Sequence, residues 1–199
     1  MAQLLFFDSD HTYQLDGQPI PSVSEVIRFI SREIYGEVSQ FKLDQAADRG
    51  SRVHKLLEAL DKYGTIECPE SLAGYLKAYL SFRNDHAVEW QQIERITYHP
   101  ELGYAGTIDR LGMVDGQRTI LDFKTSYTVH KPLVTAQQNL YKLAWEAQTG
   151  EQIDAIAALH LKADGTYQLH ALPIDPATGL ACLTLHNALK KKARKKNNG

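Results

Sequence analysis

The sequence predicts an α+β domain with a mixed central sheet and flanking helices. Apolar residues recur at helical spacing through the first part of the chain, and from about residue 91 the period changes to alternation. A helical period then returns at about 132–148 before two further strands. The resulting order α, α, α, β, β, β, α, β, β, α belongs to an α+β domain with a mixed sheet.

Taken in order, HTYQLDGQP (11–19) reads as a short strand and turn. Ser22 stands three before Glu25 in the capping-box pattern, followed by Val23, Val26, Ile27, Ile30 and Ile34, which predicts one helix over 22–34. Ala46, Ala47, Val53, Leu56, Leu57 and Leu60 predict a second over 43–61. Gly50 in its interior costs roughly 1 kcal/mol against alanine, which suggests close approach of something to the backbone. Leu72, Tyr75, Leu76, Tyr79 and Leu80 predict a third over 70–85. Strands follow at about 91–98, 104–114 and 118–126, the last two joined through Asp115-Gly116, a strong short-range hairpin signal. Leu133, Ala136, Leu140, Ala144 and Trp145 form the stripe of the helix at 132–148, with Gly150 as its stop. Strands at 153–161 and 166–172 flank Ala163-Asp164-Gly165, and a last helix begins near 176.

Composition narrows the function classes. The chain has 199 residues, 43% of them hydrophobic, which fits one globular domain over 1–189 with a helical part at about 22–85 and a core at about 91–172. Cys68 and Cys182 lie far apart with no CxxC spacing, so neither a disulfide framework nor a thiolate-bound cluster can be built from them, and a reducing cytoplasm is expected. The opening MAQLLFFDSDH lacks a cationic region, and no run of about 18 apolar residues occurs, so neither secretion nor membrane insertion is expected. The net charge of -2 hides an asymmetry. KKKARKKNNG (190–199) holds 6 of the 22 basic residues and none of the 24 acids, leaving 16 basic residues against 24 acids and a body charge of -8. Such a tail reads as a solvated, disordered end that would also raise affinity for phosphates.

In a hairpin centred on Asp115-Gly116, the numbers of directly opposed residues sum to 231, which sets Asp109 against Asp122. Two carboxylates on one face, with Cβ atoms roughly 5 Å apart, repel unless a cation lies between them or one is protonated. Lys124 shares that face by strand alternation. The trio suits phosphodiester hydrolysis, with carboxylates holding Mg²⁺ or Mn²⁺ and the lysine positioning water or stabilising developing charge. Solvated hairpin charges are the bland alternative, but ILDFK surrounds Asp122 and Lys124 with apolar residues, where unpaired charge is costly. His54 and Glu58, one helical turn apart, could equally make a surface pair, and Gln137 and Tyr141 a helix rim. Glu94, in QIER, fits alternating surface charge. Gly106 marks either close approach of a nucleic acid or a bulge.

GTIDRL followed by ILDFKTS resembles the paired motifs of the PD-(D/E)XK nuclease superfamily, and the match is closest to its RecB-like branch. RGSRVHKLLE (49–58) resembles the helix bearing that branch's extra histidine ligand. QQNLY (137–141) resembles its Q-x-x-x-Y motif, and HTYQLDGQPIPSVSEVI (11–27) the opening of phage-type stand-alone exonucleases. The resemblance implies a restriction-endonuclease-like core in which Asp109, Asp122, His54 and the Phe123 backbone carbonyl ligate Mg²⁺ or Mn²⁺. Lys124 would be the catalytic lysine, and Gln137 and Tyr141 would contact substrate. Glu94 occupies a place where some relatives use an acid near the metals. Relatives with an iron–sulfur cluster need four cysteines, which excludes that variant. The implied function is a metal-dependent DNA exonuclease leaving 5′-phosphates, with DNA as partner and a recombination or helicase protein as an open possibility. A non-catalytic nucleic-acid-binding module and a structure-specific endonuclease are the two other readings.

Overall fold

The computed structural model describes residues 3–7, 12–64 and 66–197, with side chains described as far as residue 191. A small antiparallel sheet opens the chain, with β1 (Leu4–Phe7) beside β2 (Thr12–Leu15) and β2 beside β3 (Gln18–Ile20). Asp16 and Gly17 turn the second hairpin with φ of 50° and 76°, the pair of positive values that a two-residue primed turn requires. β1 was not anticipated from sequence, and His11, at the start of the expected first strand, lies outside the described residues.

The capping box forms as expected, with the Glu25 N–H donating to Ser22 Oγ and the Ser22 N–H donating to Glu25 Oε2. The single helix expected over 22–34 is two, α1 (Val23–Val26) and α2 (Arg28–Tyr35), broken at Ile27. Val23, Val26 and Ile27 enter the core, and the Ala105 N–H donates to the Pro21 carbonyl at 3.0 Å. No residue of α2 is buried, so the two segments answer to different surroundings.

Helix α3 (Gln40–Tyr63) and α4 (Ala73–Asp85) lead into strands β4 (Val88–His99), β5 (Tyr104–Val114) and β6 (Gln117–Lys124). Then come α5 (Lys131–Thr149), β7 (Ala155–Leu161), β8 (Tyr167–Leu172) and α6 (Pro176–Asn197). The backbone of α6 takes in the basic run from Lys190 to Lys196, while Asn198 and Gly199 lie outside the described residues.

The five long strands form a sheet in sequence order, antiparallel except where β6 and β7 run parallel across the α5 crossover. One face packs Ile120, Ile156 and Ala158 against α1, α5 and α6, and the other packs Leu121, Phe123 and Leu159 against α3 and α4. The fold is therefore α+β, a mixed sheet between two helical layers. No helix among the described residues is long and apolar enough to cross a membrane.

Close approach fixes some glycines. A Cβ on Gly74, near the start of α4, would lie 1.8 Å from the carbonyl oxygen of Ala163 in the β7–β8 turn. Alanine ordinarily stabilises a helix by up to about 1 kcal/mol over glycine, but forced overpacking costs about 1–3 kcal/mol. Gly74→Ala is expected to destabilise the protein by about 2 kcal/mol, read as a lower urea midpoint at unchanged slope; an unchanged or raised midpoint would contradict the packing argument.

Candidate active site

The β5–β6 hairpin has the register expected, with Val114 opposite Gln117 and Arg110 opposite Leu121. Pairing stops there. At the next position the Asp109 side chain replaces the ladder, its Oδ2 accepting the Phe123 N–H at 2.8 Å. Asp109 thus reaches along the end of β6, and α3 brings His54 to the same place. His54 Nδ1 is 3.6 Å from Asp109 Oδ2, and its Nε2 is 3.3 Å from the Phe123 carbonyl oxygen.

Glu94 completes the group. Ligand atoms of His54, Glu94 and Asp109 all lie within 4.8 Å of one another, the one such trio of His, Cys, Asp or Glu side chains among the described residues. Glu94 reaches this position from a distorted strand. Its φ is 49°, a left-handed conformation that costs a non-glycine residue on the order of 1 kcal/mol or more, and the β4–β5 register slips between Trp90 and Gln92. Gly112 accommodates the slip, since a Cβ there would lie 2.1 Å from the Glu89 carbonyl oxygen.

Asp122 and Lys124 stand together beside this trio. Asp122 Oδ2 is 2.7 Å from Lys124 Nζ, an ion pair, and has no well-directed hydrogen bond among the described residues. Asp122 is buried, whereas the Lys124 side chain keeps a quarter of its exposure. Burial, opposed by the Lys124 ammonium and reinforced by the Asp109 carboxylate, pushes the Asp122 carboxyl up to about 6. For Lys124, burial works against the charge, but Asp122 and Asp109 outweigh it and raise its pKa. Its carboxylate neighbours thus favour the ammonium form of Lys124.

Gln137 and Tyr141 support the lysine from α5. Lys124 Nζ donates to Gln137 Oε1 at 3.1 Å, and Gln137 Nε2 donates to Tyr141 Oη at 3.5 Å. Tyr141 is only 5% exposed, and a Cβ on Gly106 would come within 2.5 Å of its ring. The close approach at Gly106 within the chain is thus to the Tyr141 ring. At Gly50 the neighbour is Thr125 Oγ1, at an ordinary 3.7 Å. Glu58 pairs with Lys62 Nζ at 2.6 Å and is not in the trio. A cavity of about 220 Å³ opens beside these groups, lined by Tyr35, Gly50, His54, Lys124, Thr125 and His130 among others.

Burial pushes Glu94 up to about 7, with Asp109 adding and His54 and Arg110 opposing. The carboxyl ordinarily titrates at 4.5, so between these values the folded protein holds a proton that the unfolded chain has released, and stability falls as pH rises. Without divalent cations, the stability of wild type relative to Glu94→Gln is expected to fall from pH 4.5 to 7 and then level off. Thermal melts in chelator across that range check this, and a rising difference would contradict it.

Sequence reading also missed two side chains that define the back of the site. Arg110, fully buried, donates from Nε to Asp61 Oδ2 at 2.8 Å and from Nη1 to Glu94 Oε1 at 3.1 Å. The available signal was a charge next to Asp109 in an apolar strand, and an aspartate two helical turns beyond His54.

The donor set suits a hard divalent cation. Carboxylate oxygens and an imidazole nitrogen converge, and the buried Asp122 Oδ2 has spare acceptor capacity. No protein-family profile matches the sequence, and no curated protein matches it. Among solved structures, the chain is similar to an alkaline exonuclease from Laribacter hongkongensis, with 19% sequence identity and a TM-score of 0.38, over 87% of this chain and 91% of that one.

Proposed function

We propose that this protein is a divalent-metal-dependent nuclease that hydrolyses phosphodiester bonds in DNA, acting as an exonuclease that leaves 5′-phosphates. The observation that carries the reading is the convergence of His54, Glu94 and Asp109 within 4.8 Å at the end of the hairpin where Lys124 pairs with Asp122. Carboxylates gathered this closely repel one another, and a cation among them offsets that cost.

In this reading His54, Glu94 and Asp109 hold Mg²⁺ or Mn²⁺, with Asp122 and the Phe123 carbonyl at its border. Bound there, the ion would lower the pKa of a water molecule and polarise a phosphoryl oxygen. Lys124 places its ammonium against the phosphate, where negative charge develops, and Gln137 holds that ammonium in line. Gln137 and Tyr141 then serve the lysine first, and the partly exposed amide of Gln137 is the one with access to substrate. The cavity flanked by Tyr35 and His130 receives the strand beside the scissile bond.

Time courses on linear, nicked and circular DNA, end-labelled and supplied with Mg²⁺ or Mn²⁺, test the proposal. Metal-dependent loss of label from linear DNA with intact circles supports it. Cleavage of circular DNA would make the protein an endonuclease, and binding without cleavage would make it a nucleic-acid-binding module.

A further inference from the structure

We infer that Arg110, anchored by Asp61, is the positioning residue that sets the geometry of the divalent-cation site. The inference rests on the metal-dependent reading above and concerns a side chain that would touch neither the ion nor the substrate.

Arg110 is 0% exposed, and its guanidinium lies against Glu94 and the backbone of Asp109. Nη1 donates to Glu94 Oε1 at 3.1 Å and to the Asp109 carbonyl oxygen at 2.6 Å. Cζ lies 4.9 Å from the centroid of the Phe123 ring. The backbone of that same Phe123 gives its N–H to Asp109 Oδ2 and has its carbonyl oxygen 3.3 Å from His54 Nε2. Glu94 Oε1 is thus the one ligand atom of the trio that the guanidinium holds directly, and its contacts to Asp109 and Phe123 are to a backbone carbonyl and a ring.

The guanidinium is itself held from behind. Its Nε donates to Asp61 Oδ2 at 2.8 Å, and the Asp61 side chain is 1% exposed. Asp61 also accepts from the Tyr79 hydroxyl at 2.7 Å and from Arg83 Nη1 at 2.9 Å, while Trp90 Nε1 donates to the Tyr79 oxygen at 2.7 Å. Buried charge on this scale is costly unless fully paired, and Arg110 Nη2 has no hydrogen-bond partner among the described residues, so the charge is kept at a cost although both faces of the sheet carry apolar clusters. A planar fork with a fixed donor geometry is what orienting a carboxylate requires, and a lysine ammonium cannot reproduce it. The left-handed backbone at Glu94 points the same way, because a strained residue persists where its surroundings over-determine it.

The test measures Mn²⁺ dissociation constants by calorimetry for wild type, Arg110→Lys and Asp61→Asn, each also in a Glu94→Gln background, with metal-free melting temperatures alongside. Partners that orient a ligand typically contribute 10–100-fold in metal affinity. Arg110→Lys is expected to weaken Mn²⁺ binding by at least about 10-fold, and Asp61→Asn by less. In the Glu94→Gln background the same replacements should change affinity by less than about threefold, because the carboxylate they orient is gone. Equal losses in both backgrounds, or no loss at all, would show that Arg110 serves only the fold. If Arg110→Lys does not fold, Asp61→Asn decides by the same comparison. Wild-type protein that binds no Mn²⁺ overturns the metal-dependent reading and this role with it, whereas wild type and Arg110→Lys binding alike overturns this role alone.

Discussion

Lys124→Ala is expected to lower DNA cleavage by at least about 100-fold, the loss typical of a positioned electrostatic or proton-transfer group, while Mn²⁺ binding stays close to wild type. The lysine is not in the trio of ligand atoms, and its ammonium is held by Asp122 at 2.7 Å and Gln137 at 3.1 Å. Removing it leaves Asp122 buried without its cation, so some loss of stability accompanies the loss of rate. Single-turnover cleavage and Mn²⁺ calorimetry on the same preparation separate the two effects. A variant that cleaves within about tenfold of wild type would move the catalytic charge to another residue.

Asp109→Asn is expected to remove both functions at once. The amide keeps the size of the side chain and an oxygen that can accept the Phe123 N–H, now bonded to Asp109 Oδ2 at 2.8 Å, so the end of the hairpin should hold. What disappears is the negative charge beside Glu94 and His54. Cleavage should fall by on the order of 100-fold or more, by the same magnitude argument applied to a group that stabilises charge. Mn²⁺ should no longer raise the melting temperature, since an ion that binds only the folded state stabilises it by RT ln(1 + [ion]/Kd), which vanishes as the affinity is lost. The contrast between the two variants is the informative result: Lys124→Ala should still show the Mn²⁺-dependent rise in melting temperature. If Asp109→Asn shows an undiminished rise, the ion sits elsewhere.

Much of this site could be read from local pattern. Asp115-Gly116 adopts φ of 49° and 80°, the primed-turn geometry that makes an Asp-Gly pair a hairpin signal, and the register that follows carries Asp109 and Asp122 to adjacent places. Alternation along β6 placed Asp122 and Lys124 on one face, and they are in contact. Helical spacing likewise put Gln137 and Tyr141 one turn apart, and Gln137 Nε2 donates to Tyr141 Oη at 3.5 Å. The role of that pair was harder to foresee, because burial of Tyr141 against Gly106 depends on how α5 lies across β5.

The sequence by itself determined the α+β class, the hairpin, the capping box at Ser22 and the identity of the acid and lysine on the sheet. Each of these depends on periods and turns spanning a few residues, where backbone sterics leave few alternatives. Only the tertiary structure decided that Glu94 joins His54 and Asp109, and that Arg110 and Asp61 lie buried behind them. Those outcomes depend on a strand slip over Gly112, a left-handed residue at Glu94 and the approach of α3 to the end of β6. They are contacts between segments far apart in the chain, and their geometry is set by packing, which no local period encodes.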